Sequence, residues 1–157
     1  MPLLPAALLL TTLLTPPSTR FSWPLPPPHP VVRTFQAPAT PFGPGHRGVD
    51  LSAPAGSPVL AAGDGVVVYA GAVAARTLVS LQHPGGLRTT YEPVTPAVTA
   101  GHQVRRGDVV GHLQEGHCPS PCLHWGARRA NEYLDPLRLV TWARVRLLPQ
   151  APKPPSG

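Results

Sequence analysis

Lysine is almost absent from this chain of 157 residues: of 13 basic side chains, one is Lys153 and the other twelve are Arg. No lysine stands in the body of the sequence, which excludes a carrier domain for lipoyl or biotinyl groups. Aromatics are only 6% and charged residues only 13%. The arginines are scattered, with Arg105–Arg106 and Arg128–Arg129 the only adjacent pairs. A single-stranded nucleic-acid platform interleaves basic and aromatic side chains, so the expectation is no nucleic acid among the partners. The net charge of +6 is instead compatible with an anionic surface or wall polymer. Proline-free amphipathic stretches long enough for a helical bundle are missing too.

Proline, by contrast, is abundant and unevenly placed. Twelve prolines fall in residues 1–45, four in 149–157 and only eight between His46 and Leu148. This predicts a domain over 21–148 with a disordered proline-rich tail at 149–157. The apolar run Leu3–Leu14 is too short to span a bilayer but suits a signal-peptide core. Residues 1–20 therefore read as a signal-like leader, leaving no membrane span once removed and a secreted or cell-wall-associated protein.

Within the domain the pattern is all-β. Phe21–Leu25, Val31–Phe35, Pro58–Leu60, Gly65–Ala70, Thr77–Gln82, Leu87–Tyr91, Asp108–Leu113 and Cys122–Ala127 are short, rich in β-branched residues and bounded by turn signals. His83-Pro-Gly-Gly86 reads as a hairpin turn. Asp135-Pro-Leu-Arg-Leu-Val140, with Asp135 as capping residue and Pro136 at the first helical position, predicts one short C-terminal helix. Strands this short and regular indicate a small antiparallel sheet or sandwich.

Seven histidines invite a metal reading. Taken singly, His29, His83, His102, His112 and His117 read as solvated or structural. His46 and Asp50 differ, because an imidazole and a carboxylate are both good Zn²⁺ donors and Gly48 between them lets the backbone bend. On a strand, Cys122 and His124 share a face and enter one site. Cys118 and Cys122 form a disulfide if the protein is exported. The alternative is a Cys122 thiolate as a fourth zinc ligand, and the two roles exclude each other.

The ordered set Gly45-His-Arg-Gly-Val-Asp50-Leu, Pro54-Ala-Gly-Ser-Pro-Val59, Gly63-Asp-Gly65-Val-Val, Gly101–Gly111 and Leu123-His124-Trp resembles the lysostaphin/LytM-type zinc metallopeptidases over about residues 21–130. Trp23-Pro24-Leu25 and Phe35 resemble that family's opening strand. The resemblance implies an antiparallel β domain of the duplicated hybrid motif type. It implies Zn²⁺ held by His46, Asp50 and His124, and hydrolysis of peptide cross-links in peptidoglycan. Two departures stand out. The family's two auxiliary catalytic histidines fall at Cys122 and Pro93, and losing such a group costs ~10²–10⁴-fold in rate. Glu92 is a possible substitute base, but strand alternation turns it away from the Pro93 position. Three functional readings follow: a weakened peptidoglycan endopeptidase, a non-catalytic relative that binds peptidoglycan or regulates another wall hydrolase, and a relative of the phosphotransferases that share the fold. An exported leader argues against the last.

Overall fold

A computed structural model describes residues 20–40 and 42–141. Most of the leader at 1–20, and the tail at 149–157, lie outside the described residues. The strands are β1 (Val31–Arg33), β2 (Gly48–Ser52), β3 (Pro58–Leu60), β4 (Gly65–Val73), β5 (Arg76–Gln82), β6 (Leu87–Glu92), β7 (Val94–Pro96), β8 (Gln103–Val104), β9 (Val109–Leu113), β10 (Cys122–Arg129) and β11 (Glu132–Leu134). The all-β expectation holds, with pairing antiparallel throughout. One sheet runs β1-β2-β10-β6-β5-β4-β8 with β11 added at β10; a second runs β3-β9-β7.

The one helix among the described residues, α1 (Leu137–Val140), begins one residue later than the capping pattern suggests. Asp135 still serves its start, its carboxylate accepting the Leu137 N–H at 3.0 Å. Phe21–Leu25 does not form a ladder strand. Pro24 has no N–H to give, so the segment lies along β3 with two isolated bonds: Ser22 N–H to the Ala62 carbonyl and Leu60 N–H to the Pro24 carbonyl, each 2.8 Å. β7, β8 and β11 are too short for period-two alternation to betray them.

Alternation along the three central strands divides the molecule into core and site. Val49 and Leu51 of β2, Leu123, Trp125 and Ala127 of β10, and Leu87, Thr89 and Tyr91 of β6 are all buried. Trp125 and Tyr91 face each other in register and are the largest fully buried side chains. Truncating a buried aromatic of this kind costs about 3–5 kcal/mol. The intervening residues point the other way. Register places Asp50 opposite His124, and His124 opposite Glu92, so one row crosses three strands on a single face.

Gly48 fits this arrangement for a reason other than the expected bend. It sits inside β2, and a Cβ there would lie 2.7 Å from His124 Nε2 and 2.5 Å from the Trp125 carbonyl oxygen. Close approach of the His124 ring, not chain reversal, is what requires glycine.

Candidate metal centre

His46 and Asp50 lie at the head and in the middle of the segment leading through β2, and His124 comes from the neighbouring strand. The structure brings all three together. His46 Nε2 is 3.0 Å from Asp50 Oδ1 and 3.1 Å from His124 Nδ1, and His124 Nδ1 is 2.8 Å from the same carboxylate oxygen. His46 and Asp50 are almost wholly buried, and the His124 side chain is 12% exposed.

Proton assignment follows from chemistry. His46 Nδ1–H donates to the Thr34 carbonyl at 2.7 Å, because a carbonyl only accepts. That leaves Nε2 as a bare lone pair aimed into the cluster, with the ring held in place by the Thr34 carbonyl. Around Asp50, burial alone would push the carboxyl up. The hydrogen bond with His124 and the charges of His124, His46 and His117 outweigh it and hold Asp50 below the usual carboxylate value.

A fourth group arrives from a loop. His117 Nε2 stands 3.2 Å from Asp50 Oδ1, and the ligating atoms of His46, Asp50, His117 and His124 all lie within 4.8 Å of one another. His117, read from the sequence as a solvated or structural loop histidine, thus stands within the cluster. Its position depends on a tertiary closure: Cys118 and Cys122 are disulfide-bonded, Cα to Cα 5.8 Å, and Cys122 opens β10. A histidine directly preceding a cysteine that bridges to the His124 strand was the available signal. The bridge answers the choice left open for Cys122, since no free thiol exists among the described residues.

A cleft of about 420 Å³ opens beside the cluster, lined by His46, His117, His124, Glu92, Arg76 and Arg128, with Tyr133 at its rim. Glu92 faces this cleft and pairs with Arg76 at 3.0 Å; Pro93 does not line the cleft, so Glu92 turns away from the Pro93 position yet into the site. The ladder ends at Glu92 itself, and its in-register partner is His124. Pro93 is buried outside any strand and carries no group that moves a proton.

The remaining histidines separate cleanly. His102 and His112 are exposed, His29 stacks on Trp23 with ring centroids 4.4 Å apart, and His83 is a buried structural residue.

The chain matches peptidase family M23 over residues 44–136, more than half its length. It belongs to peptidase family M23. The resemblance drawn from the ordered glycine, histidine and aspartate motifs is thereby borne out. This M23 chain is 49% identical over 138 residues to an uncharacterized protein of Mycobacterium tuberculosis, a match covering 83% of this chain and 55% of that one. It thus spans about half the length of that relative. It is 31% identical over 114 residues to the DD-carboxypeptidase/endopeptidase Mpg of Neisseria meningitidis, covering 71% of this chain and 25% of the other. Its fold is like that of the catalytic domain of lysostaphin, an antimicrobial peptidase from Staphylococcus simulans. There the TM-score is 0.60 at 24% identity, over 69% of this chain and 90% of that domain.

Proposed function

We propose that this M23 chain is a zinc peptidase acting on the peptide part of bacterial peptidoglycan, outside the cytoplasm. The observation that carries the reading is the convergence of His46 Nε2, His124 Nδ1 and Asp50 Oδ1. Four-coordinate zinc with ligands near 2.0–2.1 Å places donor atoms about 3.3 Å apart, close to the separations found here. The donor set, two imidazoles and a carboxylate, is one zinc favours.

His46, Asp50 and His124 would hold the ion, and Thr34 fixes the His46 ring through Nδ1. When bound, zinc supplies a Lewis acid for the scissile carbonyl and a lowered pKa for water. The chain's own residues provide the rest. Glu92, salt-bridged to Arg76 and in register beside His124, is the carboxylate placed to hold a proton near the reacting bond. Arg128 lies on the His124 face of β10, four residues on, or about 13 Å along the strand. It is placed to orient a carboxylate of an extended peptide. Peptidoglycan stems carry such carboxylates, and the positive balance of the chain suits an anionic wall.

The Cys118–Cys122 bridge supports that compartment, because such a bond persists where the environment is oxidising. One specific observation favours the second reading, a binding or regulatory relative. Cys122 is locked in a disulfide and Pro93 is inert, so neither auxiliary position moves protons. Digestion of purified peptidoglycan, read as released soluble peptides, separates the two. The peptidase reading expects slow release that His46→Ala abolishes and Glu92→Gln lowers by ~10²-fold or more. No release from zinc-loaded protein, whether its Cys118–Cys122 bond is intact or reduced, would favour the binding reading.

A further inference from the structure

His117 is a cluster member that the three-donor reading does not use. Its ring lies 5.0 Å, centroid to centroid, from that of His124, and its Nε2 is 3.2 Å from the same Asp50 oxygen that meets His46 and His124. That spacing is again close to the edge of a tetrahedral zinc site. The side chain is 20% exposed, so it is packed against the site and not merely passing over it.

Loop geometry explains how a residue outside any strand is held there. Gly116 adopts φ 108°, which turns the chain just before His117. The Cys118–Cys122 bond then ties the following residue to the first position of β10, two residues from His124 on the same face. The two fixed points leave His117 almost no span in which to leave the cluster. Among the described residues, Asp50 contacts His46, His117 and His124, with Cys118 Sγ 4.0 Å from its second oxygen.

We infer that His117 is a fourth protein ligand, so that in the folded, disulfide-bonded chain the metal centre is closed and the peptidase is latent. This rests on the zinc reading above. A site with four protein donors has no open position for a water or a substrate carbonyl, whereas a catalytic site keeps one. Hydrolysis then requires the loop carrying His117 to move away, and an intact disulfide opposes that movement.

Cobalt(II) substitution tests this without relying on activity. Wild-type protein and His117→Ala are loaded with cobalt and titrated with azide, an anion that enters an open coordination position. Disulfide integrity is checked by mass and folding by circular dichroism. The expected result is a wild-type visible spectrum that azide leaves unchanged, and a His117→Ala spectrum that azide shifts. Cobalt affinity should fall about tenfold or more in the variant, since even an outer-shell change costs that much. A His117→Cys variant, which restores a donor, should recover part of the affinity. Equal affinity in wild type and His117→Ala, or a wild-type spectrum that azide shifts as readily, would overturn the inference and leave three-ligand zinc standing. Wild-type protein that takes up no cobalt would overturn the zinc reading itself, and this inference with it.

Discussion

Two buried histidines, His46 and His83, begin alike and end differently. Each gives its Nδ1–H to a backbone carbonyl, His46 to Thr34 at 2.7 Å and His83 to Asp64 at 2.8 Å. At His83 the chain of protons then closes. The Thr89 hydroxyl donates to His83 Nε2 at 2.7 Å, the Tyr91 hydroxyl donates to Thr89 Oγ1 at 2.9 Å, and the Ala62 N–H donates to the Tyr91 oxygen at 3.0 Å. Every link has one donor and one acceptor. Burial pushes the Tyr91 hydroxyl up to about 12 and the His83 imidazole down, so both stay neutral near pH 7. At His46, Nε2 instead meets a carboxylate oxygen and another imidazole nitrogen. No hydroxyl relay closes the set, and side-chain atoms that can each ligate a metal converge instead. The comparison teaches that burial and an anchored Nδ1 do not mark a metal ligand; what marks one is a second nitrogen that converges with other groups able to ligate.

That contrast can be broken in several ways. The largest effect should come from removing metal. A ligand present at a thousand times its Kd stabilises the folded state by about 4 kcal/mol, so chelation should lower the Tm of wild type by many degrees. The Tm of His46→Ala should not respond to chelator. Next, His83→Ala leaves the Thr89 hydroxyl and the Asp64 carbonyl without their partner, at a cost of about 3 kcal/mol in denaturant unfolding. Its zinc content should nevertheless equal that of wild type, which separates the two histidines.

Smaller still is the disulfide. Closing a five-residue loop is worth about 2 kcal/mol through the unfolded chain. Reduction should therefore lower stability by about that amount, and should also weaken metal binding because His117 is released. The His83 network gains nothing from the bridge, so the reduced protein should keep that network intact. The smallest effect is a pH slope. The folded pKa of His83 lies below the ordinary value of about 6.5. Its contribution is complete above about pH 6.5 and is lost as pH falls below it, because the unfolded imidazole takes a proton first. In the chelated proteins, His83→Gln should show a flatter loss of stability than wild type between about pH 6.5 and 5.

Much of this was legible before the fold. His46, Asp50 and His124 stand in short motifs whose spacing survives on adjacent strands, and β-branched runs between turn residues disclose most of the sheet. Other parts were not. His117 lies seven residues from His124, and only the disulfide-closed loop brings it back to Asp50. Glu92 reaches the cleft because β6 ends at its pairing with His124, a register that no local pattern encodes. The short helix begins after Pro136 and not with it, and Asp135 acts through its side chain from outside the helix.

Zinc stoichiometry tests the central claim most directly. Wild type, His46→Ala and His83→Ala are each purified, stripped with chelator, confirmed folded by circular dichroism and titrated with Zn²⁺ at pH 7. The account predicts one tightly bound ion per chain for wild type and for His83→Ala, and none for His46→Ala. One ion retained by His46→Ala, or none bound by wild type, would contradict it.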